Sequence, residues 1–183
     1  MARTESTPLA VGTPAPAFRL PDPLGGEEVA LEDFSGRPLF VLFMCNHCPY
    51  VVHLLDALVD TAAWLAERGI ATVAISSNDV AAHPADAPER MAALAKDKGF
   101  EFAYLYDQSQ AVARAYQAAC TPDPYLFDAG HRLYYRGQFD ASRPGQGTAD
   151  GADLRRAASA LVAGEAAPRA QRPSVGCSIK WSS

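Results

Sequence analysis

A chain of 183 residues, 49% of them apolar, is long enough for one domain that buries roughly 70% of its unfolded surface, so its four cysteines are not needed as a stapling framework. A net charge of −5 with 16 basic residues lacks the clustered positive surface that nucleic acid requires, and the apolar runs are strand-sized, too short to span a membrane. The start shows no apolar run of about 7–15 residues, so no signal peptide is read and a cytoplasmic, reducing setting is expected.

After a polar arm over residues 1–12, Phe18 to Leu20 and Val29 to Leu31 flank the turn-rich Asp22-Pro23-Leu24-Gly25-Gly26, which predicts a hairpin. Leu39 to Met44 is an unbroken apolar run, as in a strand buried on both faces of a parallel sheet, and it ends at Cys45. From Pro49 to Glu67, Val51, Leu54, Leu55, Leu58, Ala62 and Leu65 recur at the spacing of one helical stripe, and Gly69 stops it. Ile70 to Ile75 predicts a second buried strand, followed by Ser76-Ser77-Asn78-Asp79 as a loop. Met91, Leu94 and Ala95 predict a short helix after Pro88, Phe102 to Tyr106 a strand, and Val112, Ala115, Tyr116 and Ala119 another helix. Tyr125 to Phe127 and Leu133 to Tyr135 bracket Asp128-Ala129-Gly130-His131 as an antiparallel hairpin, and Leu154, Ala157, Ala158 and Leu161 mark a last helix. The Ala-, Pro- and Arg-rich remainder reads as a tail. Alternating strands and helices imply a three-layer α/β/α domain over residues 13–163. Its mixed sheet carries an N-terminal hairpin and a helix-strand-helix insertion, and residues 164–183 pack on it or on a partner.

Chemistry concentrates in Cys45-Asn46-His47-Cys48, where a buried strand hands over to a helix. Thiols at this spacing can close a small disulfide ring, and the free N–H groups and positive dipole end of a helix favour a thiolate. Cys45, taken as the cysteine nearest the helix start, is expected to be the attacking nucleophile, and Cys48, deeper in the first turn, the resolving thiol. An imidazolium at His47 is expected to stabilise the Cys45 thiolate and make the pair more oxidising than one with an apolar spacer.

The strings Met44-Cys45-Asn46-His47-Cys48-Pro49-Tyr50-Val51, Ser76-Ser77-Asn78-Asp79, Cys120-Thr121-Pro122-Asp123, Arg136-Gly137-Gln138-Phe139-Asp140 and Val175-Gly176-Cys177-Ser178-Ile179-Lys180-Trp181 resemble a bacterial family of peroxiredoxin-like thioredoxin-fold proteins, AhpC/TSA or redoxin. The resemblance implies a thioredoxin-like fold and a thiol-disulfide oxidoreductase. It implies a cis Thr121-Pro122 peptide beside the dithiol, with the backbone of Thr121 offered to an incoming chain. It implies no cofactor beyond the Cys45-Cys48 disulfide, and as partners protein or small-molecule thiols and disulfides with a recycling reductant, the chain being a monomer or homodimer.

Three other readings stay open. Peroxide-reducing members place the attacking cysteine in a Pro-x-x-x-Thr-x-x-Cys frame; Cys48 falls at the reactive position, but Cys45 replaces the threonine and Val41 the proline. Thiolates beside His47 or His53 suit copper, and a lone Cys-x-x-Cys could be half of a zinc site, although no metal site is expected. Cys120 and Cys177 are auxiliary thiols by position, read as buried packing, with Ile179 and Trp181 pinning the tail.

Overall fold

The computed structural model describes residues 3–182, and its elements follow the apolar patterning closely. In chain order they are β1 (Arg3–Glu5), β2 (Arg19–Pro21), β3 (Glu28–Ala30), β4 (Leu39–Phe43), α1 (Pro49–Ala66), β5 (Ala71–Ser76), α2 (Pro88–Lys98), β6 (Ala103–Tyr106), α3 (Ala111–Ala115), β7 (Cys120–Thr121), β8 (Asp123–Phe127), β9 (Leu133–Tyr135), α4 (Ala152–Val162) and β10 (Val175–Ser178). Short 3-10 turns occupy Leu31–Phe34 and Pro84–Asp86.

The central sheet runs β6-β5-β4-β8-β9. β4 pairs parallel with β5 and antiparallel with β8, so the middle strand has a neighbour of each sense. All five side chains of β4 are buried because both faces are covered. Phe40 and Leu42 point with Met44 to the side of α1, α2 and α4, whereas Leu39, Val41 and Phe43 point to the side of α3 and the β2–β3 hairpin. Burying one such side chain contributes about 1.5–3 kcal/mol, which is why a five-residue run with no polar member can anchor the domain. This is the α/β thioredoxin-like arrangement, with its mixed sheet, that the motifs imply.

A second sheet of order β1-β10-β7 went unread in the sequence. β10 pairs antiparallel with β7, Cys177 opposite Thr121 and Ser178 opposite Cys120. β1 covers the other edge of β10, with Arg3 opposite Cys177. The tail expected to rest on the domain is therefore an inner strand, and residues 3–5 of the polar arm are its outer neighbour. Beyond β10 the chain is tied down at Lys180, whose N–H donates to Asn78 Oδ1 (2.9 Å) and whose carbonyl accepts from Asp79 N and Gln110 Nε2 (both 2.8 Å). Ile179 is buried. Trp181 remains partly exposed under the guanidinium of Arg114.

Candidate active site

The site forms where β4 leaves the sheet. After a last ladder bond from Met44 N to the Ile75 carbonyl (2.9 Å), Asn46 and His47 bend over the Pro84–Asp86 turn. Asp86, fully buried there, dictates the bend. One carboxylate oxygen accepts from the backbone N–H of Asn46 and the other from Asn78 Nδ2, each at 2.8 Å. His47 Nδ1 lies 2.7 Å from the second oxygen, close enough for ion pairing but not aligned as a hydrogen bond. Asn46 completes the clamp: its amide donates to the Ala85 carbonyl (2.9 Å) and accepts from the Tyr104 hydroxyl (3.0 Å).

Helix α1 begins at Pro49, a position where a missing N–H costs nothing, and this makes Cys48 the N-cap, with extended dihedrals of φ −68° and ψ 122°. The expected placement of the two thiols at the helix start is corrected here. Cys48, not Cys45, faces the free amides of the first turn, and Cys45 sits three residues upstream in the loop. The Cys48 thiol is pulled down to about 4, chiefly because the Cys45 thiol donates to it; burial pushes the other way, and the Cys177 thiol, the Thr121 hydroxyl and the Val51 N–H add to the lowering. When protonated, Cys48 instead donates to the Thr121 carbonyl (3.1 Å). Cys45 is pushed far up by its hydrogen bond to Cys48, by burial and by the Asp86 charge, with the Thr121 hydroxyl opposing. His47, expected to tune Cys45, stands with its ring against the Asp86 carboxylate.

The opposite wall is the bend between β7 and β8, where the Thr121-Pro122 peptide is cis. The Thr121 hydroxyl lies 3.5 Å from Cys45 Sγ while the Thr121 carbonyl faces Cys48, so one residue touches both thiols. Its outer edge, expected to receive an incoming chain, is taken by β10. A Cβ added to Gly176 would meet the Thr121 carbonyl oxygen at 2.0 Å; only glycine lets the strand approach this closely. Burial and the neighbouring Cys48 push the Cys177 thiol up to about 12. Cys120 shares the neighbourhood but not the contact: its thiol donates to the Pro122 carbonyl (3.6 Å), and burial and the Asp123 charge push it up. Beneath the bend, buried Asp123 is bridged by both terminal nitrogens of Arg136, whose guanidinium also lies 3.9 Å over the Tyr125 ring. Burial still holds the Asp123 carboxyl above its usual range, against the pull of Arg136.

All the sequence-selected residues thus converge except His53, which bonds Ser142 Oγ (2.9 Å). Asn78 and Arg136 lie in strings that carry the resemblance but have no role legible from them, and Asp86 is a lone polar residue in a short turn with no spacing signal. Among the described residues, Cys45, His47 and Asp86 bring donor atoms within 4.8 Å of one another, a grouping that could hold a metal ion, yet both carboxylate oxygens already accept hydrogen bonds. Cys45 and Cys48 are almost fully buried; the exposed side of the motif is formed by Asn46 and His47, which border a shallow groove of about 420 Å³ reaching Arg90 and Leu94. No helix among the described residues is long and apolar enough to cross a membrane.

The sequence profile of the AhpC/TSA family matches residues 11–139. Over 125 residues, 68% of this chain and 67% of that protein, the chain is 27% identical to the thiol-disulfide oxidoreductase ResA of Geobacillus kaustophilus (strain HTA426). Among solved structures, an uncharacterized conserved protein from Geobacillus kaustophilus superposes with a TM-score of 0.96 at 45% identity, covering 100% of this chain and 97% of that one. A hypothetical protein from Sinorhizobium meliloti 1021 gives 0.95 at 47% identity, over 98% and 99%.

Proposed function

We propose that this chain, which belongs to the AhpC/TSA family and is a thiol-based redox protein of the redoxin type, exchanges disulfides with thiol partners through Cys45 and Cys48. The observation that carries the proposal is the N-cap position of Cys48, with Cys45 beside it on the same residue, Thr121. The Cys48 thiolate attacks a sulfur of a partner disulfide; one S–S bond forms as the other breaks, and the departing partner thiolate takes a proton from solvent. Charge on Cys48 is thereby lost, and the hold that kept the Cys45 proton in place is lost with it. Cys45 gives up its proton toward the neighbouring His47–Asp86 pair and attacks Cys48 Sγ. The Cys45-Cys48 ring closes and the partner leaves reduced by two electrons. A recycling thiol reductant reverses the sequence. Partners reach the dithiol from the Asn46–His47 side, and a cytoplasmic reductant suits this cycle.

The test is insulin reduction with dithiothreitol as the recycling thiol. Cys48→Ser should lose turnover by at least about 100-fold, as expected when a nucleophile is removed. A Cys45→Ser, Cys177→Ser double variant should trap the partner as a mixed disulfide on Cys48. Trapping on Cys45 in Cys48→Ser, or wild-type turnover in that variant, overturns the assignment.

Peroxide reduction is a second reading, favoured by the same N-cap position of Cys48 and the family match. There the thiolate attacks one peroxide oxygen, the other leaves as water or alcohol, and Cys45 condenses with the resulting sulfenic acid to give the same ring and a water. Peroxide consumption coupled to a recycling thiol distinguishes it.

A further inference from the structure

Cys48 has two thiol neighbours. Cys45 lies in the loop after β4; Cys177 lies on β10, in register with Thr121 and in the same buried cluster as Cys48. Three observations place Cys177 there by construction. Thr121 is the register partner of Cys177 and its carbonyl is 3.1 Å from Cys48 Sγ, so one residue adjoins both cysteines. Gly176 lets β10 lie against the Thr121-Pro122 bend where any Cβ would collide. Immediately beyond, the three hydrogen bonds to Lys180 from the loop after β5 and from Gln110 stop the strand from sliding in register.

We propose that Cys177 is a third redox thiol of this site, able to take Cys48 from Cys45 in an internal disulfide exchange. The inference rests on the dithiol chemistry proposed above. Starting from the closed Cys45-Cys48 ring, the Cys177 thiolate attacks Cys48 Sγ in line with the S–S bond. The Cys48-Cys177 bond forms as the Cys45-Cys48 bond breaks, and the departing Cys45 thiolate takes up the proton that Cys177 has lost. No electrons enter or leave, so the step needs no outside oxidant. It moves the disulfide from the loop to the tail, frees Cys45, and ties β10 covalently to the start of α1. The two sulfurs must close to a bond of about 2.05 Å, which requires movement of both side chains.

The experiment oxidises the full chain with a graded ratio of oxidised to reduced glutathione, traps free thiols with an alkylating agent, and maps disulfides by tryptic mass spectrometry. In Cys45→Ala, the first glutathione to add at Cys48 should be expelled by Cys177, and the peptides carrying Cys48 and Cys177 should appear joined, with two glutathiones released per disulfide consumed. In Cys177→Ala, the Cys45-Cys48 ring should still form. A Cys48–glutathione adduct beside a free Cys177 in Cys45→Ala, with the ring intact in Cys177→Ala, overturns this proposal and leaves the dithiol reading standing. Failure of any link in both variants overturns the two together. The wild-type chain, in which the Cys48-Cys177 peptide pair is expected as a minor species, guards against a folding defect at position 45; absence of that pair from both the wild type and Cys45→Ala counts against the proposal.

Discussion

Cys45 and Cys177 share one buried cluster with Cys48, but the chain brings them there by unlike means. The loop holding Cys45 is organised locally and from beneath, by Asp86 and by the double clamp of Asn46. The strand holding Cys177 is held from the side, by pairing with β7 and β1 and by the anchoring of Lys180. One arrangement depends on buried hydrogen bonds to a single carboxylate, the other on backbone register. The difference teaches that the reactivity of a thiol here is shared among elements far apart in the chain, and that the two sides can be disturbed separately.

The harshest disturbance of the tail side is Arg136→Met. It leaves Asp123 buried without its cation beneath the β7–β8 bend, and removing one partner of a buried pair costs about 3–5 kcal/mol. Urea unfolding should show that loss, and a change under about 1 kcal/mol would mean that Asp123 takes up a proton at small cost instead. A narrower cut is Gly176→Ala. The added methyl meets the Thr121 carbonyl, so β10 must shift, at a cost of about 1–3 kcal/mol for overpacking. Amide exchange of residues 175–178 should quicken while that of β4 does not; equal protection in both proteins would show that the strand tolerates the methyl.

The gentlest probe reads the two neighbours against each other. A thiol lowered to about 4 is ionised across neutral pH, so alkylation of Cys48 should stay nearly flat between about pH 6 and 8, where an ordinary thiol of pKa about 8.5 gains well over tenfold. Losing a donor destabilises the thiolate, so the midpoint must rise in either variant. It should rise further in Cys45→Ala than in Cys177→Ala, since the hydrogen bond from Cys45 is the larger cause. The reverse order, read from the pH dependence of iodoacetamide labelling, would make the tail thiol the dominant partner.

Much of this was legible beforehand, and unevenly. The run Leu39–Phe43 announces a strand buried on both faces because no polar residue interrupts it, and the stripe from Val51 to Leu65 announces α1. The start of that helix at Pro49 was also legible; its consequence, that Cys48 becomes the N-cap, overrides the intuition that the first cysteine of the pair faces the dipole. Asp86 was invisible because a carboxylate in a three-residue turn looks like surface, and its burial follows only from the loop that folds over it. β7 and β10 are short and lack alternation, so their pairing is a product of tertiary closure. The Ser76-Ser77-Asn78-Asp79 segment was recognised as a motif, but its role in seating the tail needed the coordinates.

Asn78 spends its side-chain amide in two directions, Nδ2 on Asp86 under the loop and Oδ1 on the Lys180 N–H in the tail. Because both ends of one rigid plane are engaged, the group cannot swing toward one partner without slackening the other. The footing of the Cys45 loop and the seat of the tail therefore share one side chain, and replacing Asn78 removes a support from each at once.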